Sequence, residues 1–276
     1  MTSVMQWIPT GGRHPESWRS VECYMNTHLP ANVEEIEFKT SPAGSIDIWN
    51  KVVREFLKSE HEWLWSVHDD ILYHPDTLVR LMSWNQPLVS ALTFHRTNPA
   101  LPHIWRVIKD GEQSICGQLV GDTKRWFMQH EKWILPGPVV IEPRPEDALI
   151  DVTFTSTSCS LIHRSVLEAL EEPMHGGWFM QKDKTTGGGE DRSFFEAAIE
   201  AGFTPYVDRS CVVGHCFGAQ PTGVMDFILW ETHPLFSDVE VFDAGKVLEI
   251  CQTCISVSYR HQIPLHPRKA GAFPKG

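Results

Sequence analysis

Residues 63–70 read WLWSVHDD, an apolar run that ends in two adjacent carboxylates. The apolar part predicts a buried strand, and Pro75 predicts the start of a helix soon after Asp70. A strand followed by a helix indicates an α/β sheet, whose chemistry lies at the carboxyl edge of its strands. Neighbouring carboxylates are costly without a cation, so this edge is a predicted site for Mg²⁺ or Mn²⁺. The alternative is that the aspartate only caps the helix that follows.

A second acidic stretch lies later in the chain, where residues 187–199 read GGGEDRSFFEAAI. Glu190 and Asp191 stand at a predicted helix start, and the apolar residues behind them give that helix a buried face. Further on, the run VVGH ends in His215, directly after a predicted strand. The alternatives are a helix-capping role for Asp191 and a buried core histidine at position 215.

In their order and spacing, these segments resemble the metal-dependent glycosyltransferases of GT-A fold, especially the family 2-like group. The resemblance extends over about residues 3–218. It implies that Asp70 and His215 bind the metal and that Asp191 is the catalytic base. Glu190 is expected to orient the base or cap its helix.

The resemblance also predicts residues that bind the nucleotide-sugar donor. The first position of the family's Asp-x-Asp motif is occupied by His68, so either Asp69 takes over part of its role or the nucleotide contact differs. Pro9 and Thr10, at the end of the first predicted strand, are candidates for contact with the nucleoside. Asn50 is a further donor-binding candidate, although it lies off the apolar stripe of its helix and is equally typical of a solvated polar residue.

Trp178 precedes the acidic loop and is the candidate wall of the acceptor site, with a buried core tryptophan as the alternative. The resemblance implies a reaction that moves a sugar from a nucleotide-linked donor, expected to be UDP-linked, to a hydroxyl acceptor with inversion. The cofactor is expected to be Mn²⁺ or Mg²⁺. One alternative is an inactive nucleotide- or glycan-binding protein, as the substitution at His68 suggests. Another is a metal-dependent nucleotidyltransferase, for which Gly11-Gly12-Arg13 is a weak phosphate-binding loop.

The β-α-β alternation of the first half predicts an α/β protein with a Rossmann-like, mostly parallel sheet flanked by helices. The resemblance implies that this fold is of GT-A type. The segment 95–145 is rich in tryptophan and proline and predicts a β-rich aromatic excursion beside the site. Residues 1–218 are expected to form the main domain. Residues 219–276 are expected to form a small helical extension packed on it, with a flexible basic tail from His261.

The composition indicates a globular enzyme, because 276 residues with 42% hydrophobic side chains suffice for a large core. The formal charge of −11 argues against broad nucleic-acid binding. No stretch approaches the ~20 apolar residues that span a bilayer, and the start lacks the pattern of a signal peptide, so a cytoplasmic location is expected. Seven scattered cysteines indicate reduced thiols, and the lone pair Cys251 and Cys254 leaves a zinc site as a minority alternative.

Overall fold

A computed structural model gives the structure of most of the first 222 residues. The described residues are 2–10, 23–42, 46–95, 100–106, 116–130, 138–170, 178–179, 189–217 and 220–222. The predicted phosphate-binding loop Gly11-Gly12-Arg13, nearly all of the predicted extension 219–276, and Cys251 and Cys254 lie outside the described residues.

Strands make up most of the regular structure in these ranges. They are β1 (Thr2–Thr10), β2 (Val33–Pro42), β3 (Trp63–Val67), β4 (Ile71–Leu72), β5 (Leu88–Leu92), β6 (Ile104–Trp105), β7 (Val139–Val140), β8 (Leu149–Asp151), β9 (Phe154–Thr155), β10 (Cys159–His163), β11 (Tyr206–Val212), β12 (Gly214–Phe217) and β13 (Gln220–Thr222). The helices are α1 (Ile46–Lys58), α2 (Thr77–Met82), α3 (Cys116–Gln129), α4 (Arg164–Ala169) and α5 (Glu190–Glu200). Two of these helices, α2 and α4, are only six residues long.

The strands form one large sheet and two small ones. The main sheet has eight strands in the order β2-β1-β3-β10-β5-β11-β7, and β8 also pairs with β11. A three-stranded sheet has the order β13-β12-β4, and β6 pairs with β9 in a two-stranded ribbon. In the three-stranded sheet, β4, which follows β3 in the chain, pairs with β12, which follows β11.

The prediction of a mostly parallel, Rossmann-like sheet flanked by helices, the GT-A type, is wrong. Of the ten strand pairings among the described residues, three are parallel: β1 with β2, β1 with β3 and β5 with β11. The other seven are antiparallel, and β10 runs opposite to both of its neighbours, β3 and β5. Within the main sheet, three pairings are parallel and four are antiparallel, so this sheet is mixed, with antiparallel pairings in the majority.

The error has a physical cause, which lies in how β10 is packed. Continuous apolar runs are typical of parallel strands because helices usually cover both faces of a parallel sheet. The first four residues of β10, CSLI, are buried like all five residues of β5, although β10 is antiparallel to it. An uninterrupted run of apolar residues therefore indicates that both faces of the strand are covered. It does not indicate the direction of the strand.

Alternating side chains of the central strands enter two separate cores, as the period of a strand requires. Met5 and Leu64 lie in one core, which also receives apolar side chains from α1, α4 and α5. Val4 and Trp65 lie in the other, together with side chains from α2. Both faces of the sheet are therefore covered by packed apolar side chains, which hold the ends of the strands in fixed positions.

The segment 95–145, predicted as a β-rich excursion, contains the helix α3 within its described part. Trp126 and Phe127 of this helix are buried in a third core, together with Ile104 of β6 and Ile141 after β7. The aromatic residues of this region therefore include core residues on a helix, where a ribbon was expected.

The described helices are short. The longest, α3, has 14 residues, whereas a membrane-spanning helix needs about 20. In the described ranges, no helix combines the length and the apolar character that crossing a membrane requires.

Candidate functional site

The small three-stranded sheet brings Asp70 and His215 together. After β3 the chain turns through residues 68–70 and enters β4, which pairs antiparallel with β12. In this register His215 stands opposite Ile71, and the backbone N–H of Cys216 donates to the carbonyl of Asp70 at 2.8 Å. Backbone pairing therefore fixes both ends of the predicted metal pair.

The geometry of the pair suits a shared cation or proton. His215 Nε2 lies 3.3 Å from Asp70 Oδ2, and the two side chains are only 10% and 14% exposed. His215 Nδ1 lies 2.8 Å from the carbonyl oxygen of Phe94. That oxygen can only accept, so Nδ1 carries the proton and Nε2 is the nitrogen directed at the carboxylate. A backbone carbonyl that orients the second ring nitrogen is typical of a metal-binding histidine.

The His215 imidazole and the Asp70 carboxylate are two side chains that a divalent cation could take as part of its ligand set. Imidazole nitrogen and carboxylate oxygen both suit Mn²⁺, and Mg²⁺ is commonly held by one or two carboxylates plus substrate phosphates and water. In the described part of the chain, no group of three or more His, Cys, Asp or Glu side chains could hold a metal ion. A cation at this pair would need further ligands, such as phosphate oxygens and water.

His68 and Asp69 occupy the same turn, and both are half-buried. The backbone N–H of His68 donates to the carbonyl of Ser158 at 2.9 Å. Its ring packs at a tilt against Trp49, with 5.4 Å between the ring centroids. The position where the family motif has an aspartate is thus filled by a ring that contacts the core of α1.

The predicted base, Asp191, is half-buried at the second position of α5. The Thr157 hydroxyl donates to Asp191 Oδ1 at 2.5 Å. Burial raises the pKa of Asp191 to about 6, and the negative charge of Glu190 adds to the rise, while hydrogen bonds from Thr157 and Ser156 oppose it. A carboxylate with this pKa is mostly ionised at pH 7 and can still take up a proton, as a general base must.

One short segment links the two ends of the site. Ser158 accepts from His68 in the turn that carries Asp70, and its neighbour Thr157 donates to Asp191. The Ser158 hydroxyl also donates to Thr93 Oγ1 at 3.2 Å, next to the Phe94 carbonyl that orients His215. The small polar residues of segment 156–158 therefore connect the candidate metal pair to the candidate base.

Four other predicted site residues lie outside the contacts described so far. Asn50 is 1% exposed, and its amide forms two hydrogen bonds of 3.0 Å with the backbone of Phe179. The alternative of a solvated polar residue is therefore wrong for Asn50.

Trp178 is 5% exposed, and its Nε1 donates to the carbonyl of Leu167 at 2.8 Å. Pro9 is buried in β1 and Thr10 ends that strand, both paired with β2. Asn50 and Trp178 support the fold around the site, and the nucleoside contact of Pro9 and Thr10 stays a prediction.

Sequence reasoning missed two histidines beside the pair. The rings of His95 and His103 are stacked with 3.5 Å between centroids, and the centroid of His103 lies 6.3 Å from that of His215. Burial lowers the pKa of His95 to about 4, and His215 contributes to the fall, so His95 is neutral at pH 7. A bridge between Phe94 and Pro102 brings the two histidines together, and no spacing rule in the sequence predicts it.

A separate cavity of about 490 Å³ lies between α2 and the residues around β7. The residues that line it are Asp76, Val79, Arg80, Ser83, Val140, Glu142 and Arg144. None of the predicted site residues is among them. The candidate site rests on the positions of its side chains, and the cavity is a different feature of the molecule.

Comparisons with known proteins add little to this geometry. A scan against protein-family models finds no match, and no curated protein matches the chain. Among solved structures, the chain is similar to one titled "Crystal Structure of A197 from STIV", with 14% identity and a TM-score of 0.46. The match covers 79% of this chain and 86% of the other. A likeness this weak carries no argument, so the function must be argued from the site.

Proposed function

We propose that this protein is a metal-dependent glycosyltransferase that moves a sugar from a nucleotide-linked donor to a hydroxyl acceptor with inversion. The donor is expected to be linked to UDP. One observation carries the proposal. The facing pair of Asp70 and His215 is connected, through the segment 156–158, to a carboxylate at Asp191 whose pKa is about 6. A cation-binding pair and a nearby base are the two groups that this reaction needs.

Asp70 and His215 are the residues that would hold Mn²⁺ or Mg²⁺. When bound, the cation would supply positive charge to the diphosphate as it leaves the sugar. The chain's own contribution at this end is rigidity, because the pairing of β4 with β12 holds both ligands without help from substrate. His68 and Asp69 share this turn and are the residues we assign to the donor.

Asp191 acts on the acceptor. The acceptor oxygen forms a bond to the anomeric carbon on the face opposite the diphosphate, and the bond from that carbon to the diphosphate oxygen breaks. The acceptor's proton passes to the carboxylate of Asp191. Attack from the opposite face inverts the anomeric configuration. Glu190, its neighbour at the helix start, keeps the pKa of Asp191 raised by its charge and so makes the base more ready to take the proton.

The acceptor is a hydroxyl compound such as a glycan or a protein. Asn50 and Trp178 contribute indirectly in this proposal, since each is buried and bonded to backbone. We also propose a cytoplasmic location. It is supported by the free thiols of Cys159 and Cys211, because such thiols persist in reducing compartments.

The test combines binding with product analysis. A panel of sugar nucleotides is screened with Mn²⁺ by thermal shift, since a ligand that binds the folded state raises the melting temperature by mass action. The donor found in this way is then incubated with glycan acceptors, and the products are identified by mass spectrometry and NMR. We expect a nucleoside diphosphate and an inverted glycoside as products.

Other outcomes would contradict the proposal in different ways. Donor binding without transfer or hydrolysis would indicate a nucleotide- or glycan-binding protein. Release of inorganic diphosphate would indicate a nucleotidyltransferase. Retained anomeric configuration would remove Asp191 from its role as base. No stabilisation by any sugar nucleotide with Mn²⁺ would overturn the proposal as a whole.

A further inference from the structure

The clearest unassigned contact of the candidate site is the one between Thr157 and Asp191. Thr157 is fully buried, and its hydroxyl donates to Asp191 Oδ1. A donor on one carboxylate oxygen restricts the rotation of the group and favours its ionised form. The hydrogen bond therefore controls both the direction and the charge of the group that we assign as the base.

The segment that carries Thr157 is itself held in place. Ser158 accepts from the N–H of His68, its hydroxyl donates to Thr93, and its own N–H donates to Ser156 Oγ at 3.2 Å. Threonine is branched at Cβ, so its hydroxyl has few rotamers available. The donor to Asp191 is thus fixed by the structure before any substrate arrives.

We propose that Thr157 is a positioning residue, whose hydroxyl holds the Asp191 carboxylate ionised and aimed at the acceptor hydroxyl. The inference rests on the proposed function, because it assigns Asp191 as the base of that reaction. Thr157 itself does not touch the reacting atoms.

The electrostatic surroundings of Asp191 explain why the Thr157 hydroxyl affects the ionisation of its carboxyl group. The charged group that acts on it is Glu190 of the same helix, which disfavours the ionised form, as does burial. The facing residues 154–158 and 178–179 are Phe, Thr, Ser, Thr, Ser, Trp and Phe, none of which is charged. Hydrogen bonds from Thr157 and Ser156 therefore oppose both of these effects.

The test uses Thr157→Val, which keeps the shape of the side chain and removes the donor. The pKa of Asp191 is measured by ¹³C NMR titration of its carboxyl carbon, with the signal assigned by its loss in Asp191→Asn. We expect the pKa to rise by about one unit, the effect of losing one hydrogen bond to a charged group. The acid limb of the rate profile should move up equally, so that kcat at pH 6 falls about fivefold while the KM for the donor stays constant.

Two matched variants separate position from packing. Thr157→Ser retains the hydroxyl and should restore most of the pKa and of the rate. Thr155→Val makes the same change at a buried threonine whose hydroxyl donates to the carbonyl of His103, so it should leave the pKa of Asp191 unchanged. If Thr157→Val leaves the pKa and the acid limb in place, or if Thr157→Ser behaves like the valine variant, the proposal is overturned.

The NMR titration needs no substrate, so it distinguishes this inference from the proposed function. A raised pKa in Thr157→Val, together with no sugar transfer by the parent protein, would overturn the glycosyltransferase proposal and retain the control of Asp191 by Thr157. Sugar transfer by the parent, with an unchanged pKa in the variant, would overturn only the role of Thr157.

Discussion

The two ends of the candidate site are built in different ways. Asp70 and His215 are held by backbone pairing between β4 and β12, so their positions do not depend on their own side chains. Asp191 stands at a helix start and is oriented by a side-chain hydrogen bond from Thr157. The difference suggests that substitutions at the metal end change binding without disturbing the fold, whereas the base end responds to pH and to the loss of single hydroxyl groups.

The largest effect should follow from Asp70→Asn. An amide has the same shape as the carboxylate but lacks the charge that a divalent cation requires, so Mn²⁺-dependent donor binding should become undetectable. The melting temperature should stay close to that of the parent, because the backbone holds this turn. Calorimetry with Mn²⁺ and UDP measures the binding. Asp122→Asn, at a half-exposed aspartate of α3 paired with Arg125, is the control.

This prediction tests the metal end directly. Binding of Mn²⁺ and UDP by Asp70→Asn with parental affinity would show that the pair has no role in cation binding. An unfolded variant would show instead that the carboxylate supports the fold, contrary to the comparison above.

Asp191→Asn should affect the other end of the site alone. Removal of a general base lowers turnover by roughly 10²- to 10⁴-fold, while donor affinity should remain near that of the parent. Steady-state rates and donor calorimetry on the same preparation measure both quantities. Glu200→Gln, at the exposed end of the same helix, is the matched control and should keep the parental rate. Parental turnover in Asp191→Asn would contradict the inverting mechanism.

The elements that carry the candidate site were predictable from the sequence because their signals are local. The strand at 63–67 and the helix start at Glu190 follow from hydrophobic period and from charge, and the structure has β3 and α5 at these positions. The pairing of β4 with β12, which makes Asp70 and His215 neighbours, involves only two residue pairs. A contact this small and this distant in sequence leaves no periodic pattern.

The direction of β10 and the role of Asn50 were unpredictable for a related reason. The apolar run of β10 records burial on two faces, which parallel and antiparallel strands share when both faces are covered. Asn50 is buried within an otherwise apolar helix face because the backbone of Phe179 needs hydrogen-bond partners there. Both facts depend on a neighbour that is remote in sequence, which local propensities do not report.

His215→Ala should have an intermediate effect at the metal end. Loss of this oriented nitrogen ligand should weaken the binding of Mn²⁺ by at least about 10- to 100-fold, the range that is typical when a residue supporting a metal ligand is mutated. The affinity for the donor should fall with it. Titration of Mn²⁺ by electron paramagnetic resonance gives the affinity of the metal alone. His28→Ala, at an exposed histidine paired with Asp76, is the control. Unchanged Mn²⁺ affinity in His215→Ala would indicate that His215 is only a hydrogen-bonded core residue.

The smallest expected effect is on stability, and it concerns the base end. The pKa of Asp191 is raised from 3.8 to about 6 in the folded protein, so folding favours its protonated form. The stability that protonation contributes is present below pH 4 and is lost as the pH rises through about 6.

Asp191→Asn removes this dependence, because an amide does not titrate in this range. The variant should therefore be more stable than the parent at pH 7, by at most about 3 kcal/mol, and should differ much less at pH 4. Urea unfolding at the two pH values, with Asp122→Asn as a half-exposed control, measures the difference. An equal stability difference between Asp191→Asn and the parent at both pH values would show that Asp191 has an ordinary pKa. The group would then be no better prepared to accept a proton than any surface aspartate, and the contrast between the two ends of the site would be lost.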